Sequence, residues 1–488
     1  MAFFDRFKRA KKAARRRSYA AANTGRLFAD FVSTTRSSDS ETRPAIKILR
    51  NRSRDLARND EYVRRYLGLL KTNVVGPTGV NLQAKARNID GTLDAPGNKI
   101  VENAWAAWGK RGNCTADGRL SWVDSQRLFI EALARDGEVL LRFVSGFKNR
   151  DRFAIEFVEA DLLDEDLNTK AANGNRIRMG VEVNDFGASV AYHLLREHPG
   201  DQEFATGYSR KYTRVPADEM LHLFLPERAH QTRGVPMVAA AMSSLKILHG
   251  YREAELVAAR LNASKMGFIT SPDGDGYTGD DLEDTHSPIM SAEPGSFEQL
   301  PTGMDIKLFD PTHPSTAFSD FNKAVLRGIA SGLGVSYASL ASDLESVNYS
   351  SIRQGSLEER DFYKTLQQFM IDHFVAPVFE AWLRASMTAG ELPLPMTKYD
   401  KFSDSITYRP RGFSWVDPLK EITAQIKGVE NGVLSLQDVA SHYGRDIEEV
   451  FEAHEREREL ADRFGISLAF QPFGAKRPAE PQVTNVEE

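Results

Sequence analysis

The stretch GLGVSYASLASDLESVNYSSIRQG, residues 332–355, decides how this chain is read. It lies between two helical patterns and holds no apolar run long enough for a core strand. Gly332 and Gly334 mark a helix end, because glycine takes the left-handed conformation that closes a last turn. Ser351 with Gln354 has the spacing of a capping box, which would start the next helix. Between them lies a small, acidic, serine-rich loop. Ser336, Ser339, Ser342 and Ser346 as nucleophiles would each need a base and a group to orient it, and no motif supplies either. Caps and a loop are the simpler reading.

The flanks of the stretch are helical. Pro236 opens an alanine-rich pattern, PMVAAAMSSLKILHGYREAELVAARLNASKM, and AFSDFNKAVLRGIASGLG leads into the loop. Glycine, proline and acid punctuate residues 267–315 between these helices, with short strand-like pieces GFIT and MDIKLFD. A long helix follows from Ser351 to about Trp382, with Phe362, Leu366, Phe369 and Met370 on one face. Pro377 should kink or shorten it.

Further out, Pro44 to Val74 carries Ile46, Leu49, Leu56, Val63, Leu67 and Leu70 at helical spacing. VNLQAKA, EVLLRFVSG, RFAIEFVEA and EMLHLFLPER read as strands, and NKIVENAWAAWGK and WVDSQRLFIEALAR as helices. RIRMGVEVNDFGASVAYHLLREH reads as a hairpin turning at Asn184 to Gly187. GFSWVDPLKEITAQIKGVENG and the stretch SLQDVASHYGRDIEEVFEAHERERELADRFG add two or three helices. The class is therefore α+β, with no regular βα alternation.

The totals restrict the function. The 488 residues are 41% apolar and 27% charged, an ordinary globular balance. No run approaches the roughly 18–20 apolar residues of a membrane span, and MAFFDRFKRAKKAARRR lacks the apolar core of a secretory signal. Cys114 is the single cysteine, which excludes an internal disulfide and a cysteine-built zinc site. A net charge of -5 is the wrong sign for a tight DNA binder, whose affinity comes from neutralised phosphates. Only the first residues are strongly basic, and they read as a solvated arm.

Phosphate loops, G-x-S-x-G and H-E-x-x-H are missing from the sequence. DGDGYTGDDLED, Asp273 to Asp284, only loosely follows a calcium loop, with Thr278 where glycine is required. DLLDED, Asp161 to Asp166, clusters carboxylates, but a capping or solvated turn explains it more simply than acid–base work. The ten histidines form no close pair at ligand spacing, and His193 and His222 read as satisfied, half-buried strand residues. No metal and no cofactor are expected.

Several stretches in one order resemble the lambda-type family of phage portal proteins: RSRDLARND, NVVGPTG, DGEVLLR, RAHQTRGVP, YREAELVAARLNAS, WVDPLKE and, above all, LRGIASGLGVSYASLASDLESVNYSSIRQG. The resemblance implies a ring-forming portal fold. A basic flexible arm would cover residues 1–42, a mixed α/β wing 43–235, and a first stem helix 236–266. A small β-containing clip would follow over 267–315, a second stem helix over 316–335, and a tunnel loop over 336–350. The remainder would be a long kinked helix returning to the wing (351–409), an α-helical crown (410–465) and a disordered tail (466–488). The implied function is a twelve-subunit homo-oligomeric ring at one capsid vertex that passes double-stranded DNA in packaging and ejection and nucleates procapsid assembly. It would be no enzyme. Its partners would be the large terminase subunit, the head–tail adaptor, and the major capsid and scaffold proteins, with no membrane. It would reside in the virion after assembly in the host cytoplasm.

On that resemblance Ser339, Ser342, Asp343, Glu345, Ser346 and Asn348 belong to the tunnel loop. Lys323, Arg327 and Arg353 would guide DNA weakly. Asp273, Asp275, Asp280, Asp281, Glu283 and Asp284 of the clip would dock terminase or adaptor. No basic residue stands between Gly334 and Ile352, so the loop should repel phosphate and let a genome slide. The competing readings are a hydrolase using a loop serine or the metal-binding carboxylates Asp161, Asp164 and Asp166, and a monomeric scaffold with a basic arm.

Overall fold

The computed structural model describes residues 26, 30, 32–201, 211–263, 267–270, 305–308, 318–345, 349–413, 418–443 and 445–467. Helices α1 (Ser38–Thr42), α2 (Ile46–Asn59) and α3 (Glu61–Leu70) come first. The helical pattern expected as one piece from Pro44 breaks at Asp60. Its backbone is extended there, and its side chain caps α3 by accepting from the Tyr62 and Val63 N–H groups, both at 2.9 Å. A π-helical turn over Lys71–Val75 ends α3 and leads to β1 (Asn81–Ala84).

Next come α4 (Ala95–Trp108), α5 (Trp122–Asp136), β2 (Glu138–Ser145) and β3 (Phe153–Val158). Ser121 and Asp124 close a capping box on α5, and Gly137 ends it at φ +86°. Short strands β4 (Thr169–Lys170), β5 (Arg176–Arg178), β6 (Val181–Val183), β7 (Ser189–Leu195) and β8 (Tyr212–Pro216) form one antiparallel sheet in sequence order. The expected hairpin turn is present, with Asn184 N–H donating to Ala188 O at 3.0 Å. β9 (Met220–Phe224) joins β2 and β3 in a second sheet, ordered β3-β2-β9, with Glu138 opposite Phe224 and Leu140 opposite His222.

The helix expected from Pro236 starts later, as α6 (Met242–Ala263). Met237 N–H is committed to Ala134 O at 3.0 Å, which ties this segment to α5 before a helix can form. Two strands, β10 (Gly267–Thr270) and β11 (Asp305–Leu308), pair antiparallel, matching the two strand-like pieces read from the sequence. α7 (Phe318–Leu333) returns beside α6: the Tyr251 and Phe321 rings lie 5.1 Å apart, edge to face. Then follow α8 (Tyr337–Ala341), α9 (Tyr349–Met370) and α10 (Ala376–Thr388).

Pro377 does not end this run. A π-helical turn over Ile371–Val375 precedes it, so the proline falls in the first turn of α10, where its missing N–H costs nothing. α11 (Tyr399–Ser403) and β12 (Ile406–Arg409) bring the chain back, and β12 pairs with β1, Asn81 opposite Arg409. α12 (Pro418–Glu430), α13 (Leu436–His442) and α14 (Ile447–Phe464) complete the described chain.

The main core is aromatic. Trp105, Trp108, Trp122 and Trp382 pack together with Phe153, Phe374 and Phe379, joining α4, α5, α10 and β3. The indole N–H groups of Trp108 and Trp382 donate to Phe153 O at 3.0 Å and Asp151 Oδ1 at 3.2 Å, so neither is buried unsatisfied.

Candidate functional site

The segment after α7 is built on two caps. Gly334 at φ +73° turns the chain, and Val335 N–H donates to Ala330 O at 3.1 Å. Ser336 then caps the short α8, accepting from Ser339 N–H at 3.1 Å. The expected cap at Ser351 is not where α9 begins, because that helix already starts at Tyr349. Ser336 caps α8, a different helix.

Glu359 on α9 anchors this short helix. Its Oε2 accepts from Ser336 Oγ at 3.0 Å and Ser339 Oγ at 2.8 Å, and its Oε1 accepts from the Tyr363 hydroxyl. Leu340 is buried beneath α8, and Arg65 of α3 donates to Ser339 O at 3.0 Å. Ser339 is therefore pinned, and its hydroxyl does structural work.

Past α8 the chain is freer. Ser342 sits at φ +54°, left-handed, and Asp343 follows as a local organiser. Asp343 accepts from Glu345 N–H at 3.0 Å and from the Tyr337 hydroxyl at 2.7 Å. The Glu345 N–H and the Tyr337 hydroxyl hold its carboxyl below the usual range. Burial, with that carboxylate beside it, pushes the Tyr337 phenol up to about 12. Lys323 Nζ lies 3.7 Å from Asp343 and 3.8 Å from Glu345. The expected guiding cation is thus already shared between two carboxylates, and Glu345, whose side chain is 85% exposed, carries the outward negative charge. Arg327 packs its guanidinium 5.5 Å from the centre of the Tyr337 ring.

So the structure brings Lys323, Arg327, Ser339, Ser342, Asp343 and Glu345 into one neighbourhood. The backbone of Arg353 lies in the first turns of α9. Ser346 and Asn348, and the acidic residues Asp273, Asp275, Asp280, Asp281, Glu283 and Asp284, lie outside the described residues.

A second constellation was not anticipated from sequence. Glu138, at the start of β2, is fully buried among cations. Arg233 donates from Nε at 2.8 Å and Nη2 at 2.5 Å, Arg50 from Nη2 at 2.8 Å, and His222 lies 2.9 Å away through Nε2. Arg233 also reaches the carbonyls of Leu163, Met179 and Ala160 at 2.8, 2.9 and 3.1 Å. Burial would raise the Glu138 carboxyl, but Arg233, His222 and Arg50 outweigh it and hold it well below its ordinary value. Burial lowers His222, only partly opposed by Glu138.

Asp161, first of the acidic cluster at residues 161–166, belongs to the same network, Asp164 is buried, and Asp166 is exposed with its N–H donating to Asp164 Oδ1 at 3.0 Å in a local turn. Asp161 meets Arg50 at 3.2 Å and Arg54 at 2.5 Å, and Asp164 accepts from the Tyr212 hydroxyl at 2.5 Å. Two glycines let the strands cross beside Glu138. A Cβ on Gly137 would lie 2.3 Å from the Val235 carbonyl carbon, and one on Gly234 would lie 2.1 Å from Gly137 O. RSRDLARND, DGEVLLR and RAHQTRGVP, far apart in sequence, thus meet in one place.

Ser336 and Ser339 are engaged by the α8 cap and by Glu359, and Glu138 and Asp161 by guanidinium groups. Residues 24–367 match the family of lambda-type phage portal proteins. A probable portal protein of Halomonas phage phiHAP-1 is 40% identical over 447 residues, 90% of this chain and 84% of that protein. Portal protein B of Escherichia phage lambda is 22% identical over 451 residues, 83% of this chain and 82% of its own length. The chain belongs to the lambda family of phage portal proteins. It is accordingly a non-enzymatic component of the phage head-to-tail connector. Among solved structures, the neck of a native gene transfer agent particle aligns with 86% of this chain and 99% of that chain, at 15% identity and a TM-score of 0.44.

Proposed function

We propose that the chain assembles as a twelve-membered ring at one capsid vertex, admits double-stranded DNA during packaging and releases it on ejection, and nucleates the procapsid. In this reading residues 43–235 form the wing, α6 and α7 the stem, residues 267–315 the clip that docks terminase and later the adaptor, and α12 to α14 the crown. The supporting observation is the exposed apolar surface of α6 and α7, with Ile247 and Leu256 on opposite sides of α6. Ile247 and Leu256 are 73% and 70% exposed in the single chain, with Val257 and Phe321 also open, an apolar surface that a neighbouring copy would cover. Gly250, Gly328 and Gly332 have no atom within 4 Å of a would-be Cβ, which leaves room for close helix approach.

The segment 336–345 would face the DNA. Asp343 and Glu345 are the only charged side chains within the segment, so it is itself net negative and repels phosphate, while Lys323 and Arg327 of α7 lie beside it. Native mass measurement and negative-stain imaging of the purified protein test the assembly. A ring with a hole of duplex width is expected, and a monomer at every concentration, also under capsid-assembly conditions, would refute it.

A further inference from the structure

Asp60 and Glu61 stand where α2 gives way to α3, and His249 stands on α6, 188 residues along the chain from Glu61. His249 Nε2 lies 3.3 Å from Glu61 Oε2 and 3.5 Å from Asp60 Oδ2. The three ligand-type atoms all fall within 4.8 Å of one another.

The two Asp60 oxygens differ in kind. Oδ1 is occupied by capping α3, whereas Oδ2 is buried with no hydrogen-bond partner, on a side chain only 1% exposed. A buried carboxylate oxygen left unpaired is costly, so a group that satisfies it is expected. His249 does not do so directly. A charge-assisted hydrogen bond would close to about 2.7–2.9 Å, yet the imidazole nitrogen stands farther off and between two carboxylates. Those separations fit another geometry. Bonds of about 2.1 Å around a tetrahedral ion place neighbouring ligand atoms about 3.4 Å apart.

We propose that Asp60, Glu61 and His249 bind a divalent first-row transition ion, with Zn²⁺ as the fitting probe. Arg252 holds the other oxygen of Glu61, which fixes the direction in which Oε2 points. Beside the triad an open groove of about 490 Å³, lined by Arg252, Glu253, Leu256, Val257 and Arg260, gives the ion a way in and room for water at the remaining position. One imidazole and few oxygens suit Zn²⁺ better than Ca²⁺ or Mg²⁺, which take six or more oxygen ligands. The bound ion braces the α2–α3 junction against α6. Every ligand comes from one chain, although Leu256 and Val257 of the groove belong to the apolar surface that a neighbouring copy would cover in the ring reading.

The test is titration calorimetry of the full chain, stripped with chelator, against Zn²⁺, with Mg²⁺ as control. One Zn²⁺ per chain is expected, together with a melting temperature that rises with zinc. Asp60→Asn keeps the helix cap but lacks the second charged oxygen, and His249→Gln removes the nitrogen ligand from a side chain 41% exposed. Each should weaken zinc at least tenfold while melting like the wild type without zinc. Absent stoichiometric uptake, or variants that bind as well as wild type, would overturn the site. A wild type indifferent to zinc whose melting instead follows pH through His249 would identify an imidazolium bridge between the carboxylates, and would equally overturn it.

Discussion

Arg233 sets its guanidinium edge against the Glu138 carboxylate, with Nε and Nη2 at 2.8 and 2.5 Å and both side chains sealed from solvent. The pair closes the three-stranded sheet on the segment that leads to α6. Removing one member leaves the other charge buried. Arg233→Met, similar in bulk, should therefore lower unfolding stability by about 3–5 kcal/mol. Urea denaturation of the purified protein measures it, and a loss below about 1 kcal/mol would mean that Arg50 and His222 neutralise Glu138 unaided.

The same cluster sets an acid response. His222 is lowered by burial, so the unfolded chain binds its proton first, and stability falls as pH drops below about 6.5. Glu138 is held low, so its contribution is complete above about 4.5 and is lost as pH falls below that. The two slopes add in the same direction. His222→Gln should flatten the stability profile between about pH 6.5 and 5 and leave the steeper loss at lower pH. An unchanged profile would remove His222 from this account.

Gly137→Ala combines a left-handed backbone with a Cβ placed 2.3 Å from the Val235 carbonyl carbon. It should cost well over the roughly 1 kcal/mol of the backbone penalty alone. Gly68→Ala, in α3 with nothing within 4 Å of its would-be Cβ, should instead gain about 0.5–1 kcal/mol. Thermal melts of the two variants should move in opposite directions.

Glu359→Ala would strip the acceptor from three hydroxyls at once, those of Ser336, Ser339 and Tyr363. A cost of about 1–3 kcal/mol is expected, concentrated in α8. Hydrogen exchange should report faster opening at residues 336–341, with α10 unaffected.

Asp343→Lys with Glu345→Lys reverses the charge of the segment beside Lys323. If DNA slides past it, rings carrying the double variant should form normally yet package or eject DNA poorly, and the defect should shrink as salt is raised. Packaged DNA per capsid and infectivity are the readouts; wild-type values in both would refute a DNA-facing role.

Local pattern made much of this molecule legible. The periodicity of NKIVENAWAAWGK and WVDSQRLFIEALAR places α4 and α5, and the turn residues at Asn184 to Gly187 place the β6–β7 hairpin. The glycine at 334 and the serines after it announce a helix end and a cap, although Ser336 caps α8 and α9 begins before Ser351. What pattern cannot show is which distant residues meet. RSRDLARND, DGEVLLR and RAHQTRGVP were visible as a family signature, but nothing local says that Arg54, Asp136 and Arg233 belong to one ion network. Pro377 was legible as a break in the long helix: α9 stops at Met370, and a π-helical turn over Ile371–Val375, holding buried Phe374 and Val375, separates it from α10, which carries the proline in its first turn. Histidine spacing missed the Asp60–Glu61–His249 group, because packing of α6 on α3, and no motif, assembles it.

The buried glutamate also imposes an order on synthesis. Glu138 lies 88 residues after Arg50 and 95 before Arg233. At ribosomal speeds the 95-residue gap lasts about 5–19 seconds, during which the acid exists without its main counter-charge. Burying it in that interval would strand a charge with one guanidinium, so the nascent sheet gains by waiting with Glu138 still hydrated. β9 and the turn that carries Arg233 leave the ribosome almost together, and only then can the sheet seal. Arg233 thus makes closure of the sheet conditional on a chain grown past residue 233.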